Sequence, residues 1–214
     1  AKGAIDDVLR DFPFATPSDR AHAVGALISP AVRLLVRGPQ PLLSYDAPNA
    51  GTGKGLLVAA TSIITTGDAP MTYSFPSDRT EARKLVTSIL IEAPTLALLD
   101  NAQQGRRIDN PVLAALLTSD HWSDRYLGVS RIVRMPNRTL WVMTGNNPTF
   151  STEMARRTVR IRLDAKVDRP WERSGFRHPD LLAYVTEHRG RLTHALLVLV
   201  QHWIAQGRPR SGLR

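Results

Sequence analysis

The chain of 214 residues contains no cysteine, which excludes disulfides and thiolate metal sites and fits a reducing compartment. Its six histidines stand singly, none paired at metal-ligand spacing, so a zinc site is not expected. No apolar run approaches the roughly 18–20 residues that span a bilayer. A charged-then-apolar leader is also lacking, and the expectation is a soluble, cytoplasmic protein without membrane contact. Internal repeats and low-complexity linkers are missing as well. What remains, 43% hydrophobic and 22% charged residues, suits one substantial folded core with a small appended piece.

Charge is unevenly placed. Residues 1–100 hold nine Lys/Arg against ten Asp/Glu, whereas residues 101–214 hold nineteen against nine. A basic second half points to a polyanionic partner, with DNA the first candidate. An arginine-rich solvated surface would give the same count.

Hydrophobic periodicity predicts alternating strands and helices. After an N-terminal arm, SDRAHAVGALISPAVRLLV has helical spacing, with Pro30 as a kink or break. PLLSYD reads as a short apolar strand, and the segment from Lys54 as a helix. PMTYSF reads as a second strand, and Asp78 with Glu81 has capping-box spacing ahead of TEARKLVTSILI. TLALLD and RTLWVMTG are continuous apolar strands of the kind buried in parallel sheets. RTVRIRLD alternates, with Val159, Ile161 and Leu163 on one face and arginines on the other. Beyond Pro179 the chain reads as helical to about Gln206. The fold class is therefore α/β, a parallel sheet flanked by helices. Residues 1–175 form the arm and core, and residues 176–214 a helical C-terminal piece.

Three strand ends carry chemistry. The first is followed by PNAGTGK, in which Gly51 and Gly53 would let backbone N–H groups approach phosphates and Lys54 would reach the outer ones. Residues Pro48, Asn49, Ala50, Gly51, Thr52, Gly53, Lys54, Gly55 and Leu56 form this candidate phosphate loop. Two usual residues are missing: Pro48 replaces the first glycine, and Gly55 replaces the hydroxyl that holds magnesium. The second strand ends at Asp100, a candidate magnesium ligand. Asn101 follows, where many such sites have glutamate, and an amide can orient water without accepting its proton. The third ends at Asn146 and Asn147, an amide positioned to hold water or phosphate.

This trio and the residues around it resemble the AAA+ and superfamily 3 helicase-like P-loop ATPases. The likeness is greatest to the ATPase domain of primase–helicase replication proteins of phages, plasmids and integrative elements. The matching residues are Ala47 and Pro48, Gly51–Lys54, Leu98–Asn101, Asp124–Gly128 (DRYLG), Thr144–Asn147 and Ala155–Arg157. The match runs from about residue 12 to 206. It implies a P-loop fold with an inserted β-hairpin and a C-terminal lid, binding ATP and Mg2+ in an oligomeric, hexameric ring on DNA. A primase domain or partner is implied too. A neighbouring subunit would supply a cation to the transferring phosphate, with Arg156 or Arg157 as first choice and Arg125 as the alternative. Arg131, Arg134 and Arg138, on the hairpin ahead of the third motif, would contact DNA phosphates. Trp122, Trp141, Trp171 and Trp203 are read as core or lid packing residues, and Arg177 as a lid arginine facing the phosphates. Two rival readings stay open: a nucleotide-gated assembly module with little turnover, and a DNA-binding module with a vestigial loop.

Overall fold

The computed structural model describes residues 1–36, 38–102, 107–126, 129 and 131–209, with backbone only for Asn101 and Ala102. The opening arm is largely helical: α1 (Lys2–Leu9) buries Ile5, Val8 and Leu9 at helical spacing. In α2 (Pro17–Val32) the Thr16 hydroxyl accepts from the Asp19 amide, and Pro30 falls in the last turn, so the helix closes there. Strand β1 (Leu42–Ala47) is buried at all six positions, which requires cover on both faces and partners on both edges. It leads into α3 (Lys54–Thr66), then β2 (Met71–Ser74), α4 (Arg79–Glu92) and β3 (Leu96–Ala102). The Asp78 cap on α4 is formed, accepting from the Glu81 amide at 2.9 Å.

Beyond the first acidic strand end come β4 (Arg107–Ile108), α5 (Pro111–Leu116), β5 (His121–Arg125), β6 (Ile132–Pro136) and β7 (Leu140–Asn146). The chain continues through β8 (Thr149–Phe150), α6 (Thr152–Ala155), β9 (Thr158–Arg162) and a 3-10 turn at Pro170–Glu172. It closes with α7 (Leu181–Glu187) and α8 (Arg189–Ala205). No helix among the described residues is long and apolar enough to cross a membrane.

The central sheet has five parallel strands in the order β2-β3-β7-β1-β9. One face carries a core shared by β1, β7 and helices α1, α2, α3, α7 and α8, including Tyr45, Ile64, Ile161 and Leu192. The other carries α4 and α5 with Leu99, Leu113, Trp122 and Trp141. The expected hairpin exists as antiparallel β5 and β6. Its turn around Gly128 lies outside the described residues, as do Leu127 and Gly128 of DRYLG. The short parallel pair β4–β8 was not foreseen, because two-residue strands leave no periodic signal.

Asn137 fixes the base of the hairpin. Its side chain is buried and donates to the carbonyls of Leu116 (2.8 Å) and Ser119 (3.1 Å), while accepting from the Trp141 indole (3.0 Å). Its own carbonyl accepts from Arg33 at 2.6 Å. Farther along, Asp124 takes Arg83 Nε at 2.9 Å and the Thr87 hydroxyl at 2.7 Å, tying the hairpin to α4. Burial alone would raise the Asp124 pKa, but these donors and the Arg125 amide outweigh it and hold it below the usual value. An Asn137→Ala substitution strands a buried indole N–H and two carbonyls. The expected loss is on the order of 3 kcal/mol in chemical denaturation. A loss under about 1 kcal/mol would mean that water substitutes for the amide.

Candidate functional site

In a parallel sheet all C-terminal strand ends lie along one edge, and ligands favour the crevice there. The register sets Ala47 beside Asn146 and Leu99 beside Met143. The end of β1, where the glycine loop begins, therefore lies next to the end of β7, with Asp100 on the following strand. Lys54 Nζ donates to Asn146 Oδ1 at 2.7 Å and to the Asn49 carbonyl at 3.2 Å. Burial lowers the Lys54 pKa from the ordinary lysine value, and the carboxylates of Asp46 and Asp100 partly offset this. The lysine, the acid and the amide predicted from three separate motifs thus occupy one locus.

The loop glycines are required twice over. Gly51 has φ 74° and Gly53 has φ 96°, left-handed conformations that suit residues without a Cβ. A Cβ on Gly51 would stand 3.0 Å from Trp171 Cβ, and one on Gly53 would stand 3.2 Å from the Phe12 ring. Helix α3 starts directly from Gly53 with no side-chain cap. Five other helices have a capping oxygen at this point. The free amides of its first turn and its dipole make this helix start attractive to an anion. Thr52 is buried, its hydroxyl directed to the Asn49 carbonyl at 3.4 Å.

Asp100 is exposed at the end of β3 and accepts a hydrogen bond from the Thr144 hydroxyl of β7. No group of three or more His, Cys, Asp or Glu that could hold a metal occurs among the described residues. Magnesium bound with a nucleotide needs fewer, often one or two carboxylates besides phosphate and water. An exposed Asp100 beside the loop fits that demand. Gly55 contributes nothing, and a Cβ built on it meets no atom within 4 Å.

Beside the loop a cleft of about 430 Å³ opens between α1 and the segment before α7, lined by Phe12, Gly51, Leu56, Trp171 and Phe176. Trp171 is 60% exposed. It is thus neither a core residue nor covered by the helices that follow, but a wall of this cleft lying against the loop. Trp122 and Trp141 are core residues as expected. Arg177 is engaged by the N-terminal arm. Its Nε pairs with Asp7 at 3.3 Å and its amide donates to Asp11 at 2.6 Å.

The remaining predicted residues are not gathered at the loop. Arg157 follows α6 and leads into β9, donating to the Glu153 carbonyl at 2.7 Å, and Arg156 beside it is exposed. The Leu42 amide bonds the Arg157 carbonyl, so this pair lies at the start of β1. Five residues of strand, roughly 17 Å at 3.3 Å each, separate it from the loop of its own chain. Arg131, Arg134 and Arg138 are exposed on or beside the β5–β6 hairpin, and Arg125 is exposed at the end of β5. The Asn101 side chain lies outside the described residues. Sequence reasoning missed Asp46, Arg160 and Arg162, which join in an ion cluster around the buried Asp46 carboxylate beneath the β7 end. The signal was present as an aspartate inside an otherwise uncharged strand.

No protein-family model and no curated protein sequence matches the chain. Among solved structures, it is similar to the A form apo structure of the NrS-1 C-terminal region, with a TM-score of 0.58 and 14% identity. That match covers 90% of this chain and 45% of the other. A second structure of that region, spanning its residues 305–718, gives a TM-score of 0.51 and 12% identity over 88% and 43% of the two chains. A JCV helicase structure with a bound thiazolopyridinyl ligand aligns at 0.45 and 14% identity, over 87% and 55%, too loosely to carry an argument. The chain spans about half the length of the structures it resembles. The first two likenesses show the fold: the chain has an α/β fold of the P-loop NTPase type, shared with the NrS-1 C-terminal region.

Proposed function

We propose that this domain binds ATP with magnesium at the Pro48–Leu56 loop and hydrolyses it as the motor of a DNA helicase-like replication protein. The observation that carries the reading is the 2.7 Å contact of Lys54 with Asn146, in front of the uncapped start of α3 and beside Asp100. Lys54 is held by its own loop and by Asn146. A triphosphate offers it stronger, charged acceptors, so the ammonium would swing from Asn146 to the outer phosphate oxygens. That swing frees the Asn146 amide to hold the attacking water. Asn101 adds no general base, but a loose phosphoryl-transfer transition state depends more on positioning and charge than on proton abstraction. Bound through Asp100, magnesium would neutralise charge on the phosphate oxygens. The nucleoside end would have the apolar cleft of Phe12, Leu56, Trp171 and Phe176 beside the loop, with the C-terminal piece serving as its lid through the segment from Phe176 to Leu182.

Arg156 and Arg157 lie far from the loop of their own chain, which supports a role in a neighbour's site within a ring. Exposed Arg131, Arg134 and Arg138 support phosphate contacts of the hairpin with DNA; each neutralised phosphate would add about 0.7–0.9 to the salt slope. A primase domain or partner, a hexameric ring and a mobile-element origin belong to this reading. The assembly-module alternative draws its support from Gly55, which removes a metal ligand.

Two measurements test the proposal. Phosphate release with and without single-stranded DNA is expected to require Lys54, falling at least about 10²-fold in Lys54→Ala. Equal release by wild type and Lys54→Ala, while wild type still binds ATP, would exclude the motor reading. Separately, Gly55→Ser has room for its hydroxyl. It is expected to tighten magnesium-dependent nucleotide binding about threefold to tenfold in calorimetry, the effect of one added ligand (about 1 kcal/mol). An unchanged magnesium dependence would show that water already fills that role.

A further inference from the structure

Asp46 is the one charged residue inside β1, and its side chain has no exposed surface. Alternation along β1 turns Leu43 and Tyr45 to the helix α3 side of the sheet and Ser44 and Asp46 to the other. On β9, Arg160 stands opposite Ser44 and Arg162 opposite Asp46. Asp46 Oδ2 accepts from Arg160 Nε at 2.6 Å, from the Arg160 terminal nitrogen, and from Arg162 Nη1 at 2.6 Å. Its other oxygen accepts the Asn147 amide at 3.1 Å. A buried carboxylate is tolerated when charge and hydrogen bonds compensate it, and here both do.

The two arginines share one acceptor but differ in reach. Arg162 Nη1 also donates to Asn147 Oδ1 at 3.1 Å, and Arg160 makes no such contact. Asn147 has φ 46°, a left-handed conformation that asparagine tolerates better than most residues and that needs local support. Its amide is shared between Asp46 Oδ1 and the Ala47 carbonyl, the latter at 3.0 Å. The residue immediately before it is Asn146, whose amide oxygen meets Lys54. The start of the phosphate loop and the turn after β7 are thereby referenced to a single buried carboxylate.

We infer that Arg162 is a positioning residue: with Asp46 it holds Asn147 in its left-handed turn, and that turn aims Asn146 at the reacting end of the nucleotide. This rests on the functional reading above, because it assigns Asn146 a role in turnover. Arg160 neutralises Asp46 without touching the turn and provides the internal control. In that reading nucleotide affinity depends on the loop amides and Lys54. The cluster makes no hydrogen bond to them and acts on Lys54 only through the charge of Asp46, which every variant below keeps, so the effect falls on kcat.

The test compares Arg162→Ala, Asn147→Gly and Arg160→Ala by steady-state hydrolysis, nucleotide affinity and melting temperature, with hydrogen exchange over residues 144–150. Glycine at 147 keeps the left-handed backbone accessible while removing the side-chain tie. Arg162→Ala and Asn147→Gly are expected to lower kcat about tenfold or more, as a small misplacement does. Their nucleotide affinity is expected to stay within about twofold, a shift under 0.5 kcal/mol. Exchange at the β7 end is expected to quicken in both. Arg160→Ala is expected to lose stability while retaining kcat within about twofold. Equal kcat losses in the two arginine variants, tracking their melting temperatures, would reduce the cluster to scaffolding and overturn the inference. So would an unaffected Arg162→Ala in a protein whose wild type turns over. Absence of Lys54-dependent turnover in wild type would instead sink the functional reading and the catalytic role of the tie together.

Discussion

Everything at the candidate site depends on β1 being a central strand, hydrogen-bonded in parallel to β7 on one side and β9 on the other. Parallel pairing sends the ends of β1, β3 and β7 to one edge, so Lys54, Asp100 and Asn146 meet although 46 residues separate each from the next. Burial at all six positions forces both faces of β1 to be covered, which explains the two apolar clusters and the helices over them. The same constraint makes Asp46 costly and accounts for the two arginines on β9.

Much of this architecture is legible in the chain because the relevant signals are local. Continuous apolar runs mark β1, β3 and β7, and alternation marks β9 and the residue after it, with Ile161 and Leu163 fully buried. Asp78 announces the start of α4 by a capping pattern four residues long. Glycines at 51 and 53 announce a loop with left-handed turns. The features that escaped are set by distant partners. Nothing near Asp46 in sequence reveals that its cations lie 114 and 116 residues away. Trp171 reads as one more packing aromatic until the fold lays it against Gly51. The helix α1 is only eight residues long and carries Gly3 and two adjacent aspartates, a weak local pattern rescued by packing onto α8.

The candidate site combines a loop of two left-handed glycines at an uncapped helix start with a single exposed carboxylate, Asp100. Lys54 in its resting position satisfies itself with neutral oxygens, Asn146 Oδ1 and the Asn49 carbonyl. That arrangement relieves a half-buried ammonium and leaves it ready to exchange partners when charged oxygens arrive. Asp100, bonded to Thr144, is the carboxylate that would hold magnesium, and Gly55 would offer it no hydroxyl. In the proposed function, binding and turnover rest on different residues: the loop amides and Lys54 would hold the nucleotide, while the β7 end would govern its hydrolysis.

The central claim is that Lys54 leaves Asn146 for a polyphosphate held on the α3 amides. A structure of the chain with magnesium and a non-hydrolysable ATP analogue tests it most directly. The account predicts phosphate oxygens on the amides of Gly51 to Lys54, the lysine ammonium on the outer phosphates, and the Asn146 side chain freed toward the terminal phosphate. A nucleotide bound elsewhere, or a Lys54 still seated on Asn146 with the loop empty, would contradict it.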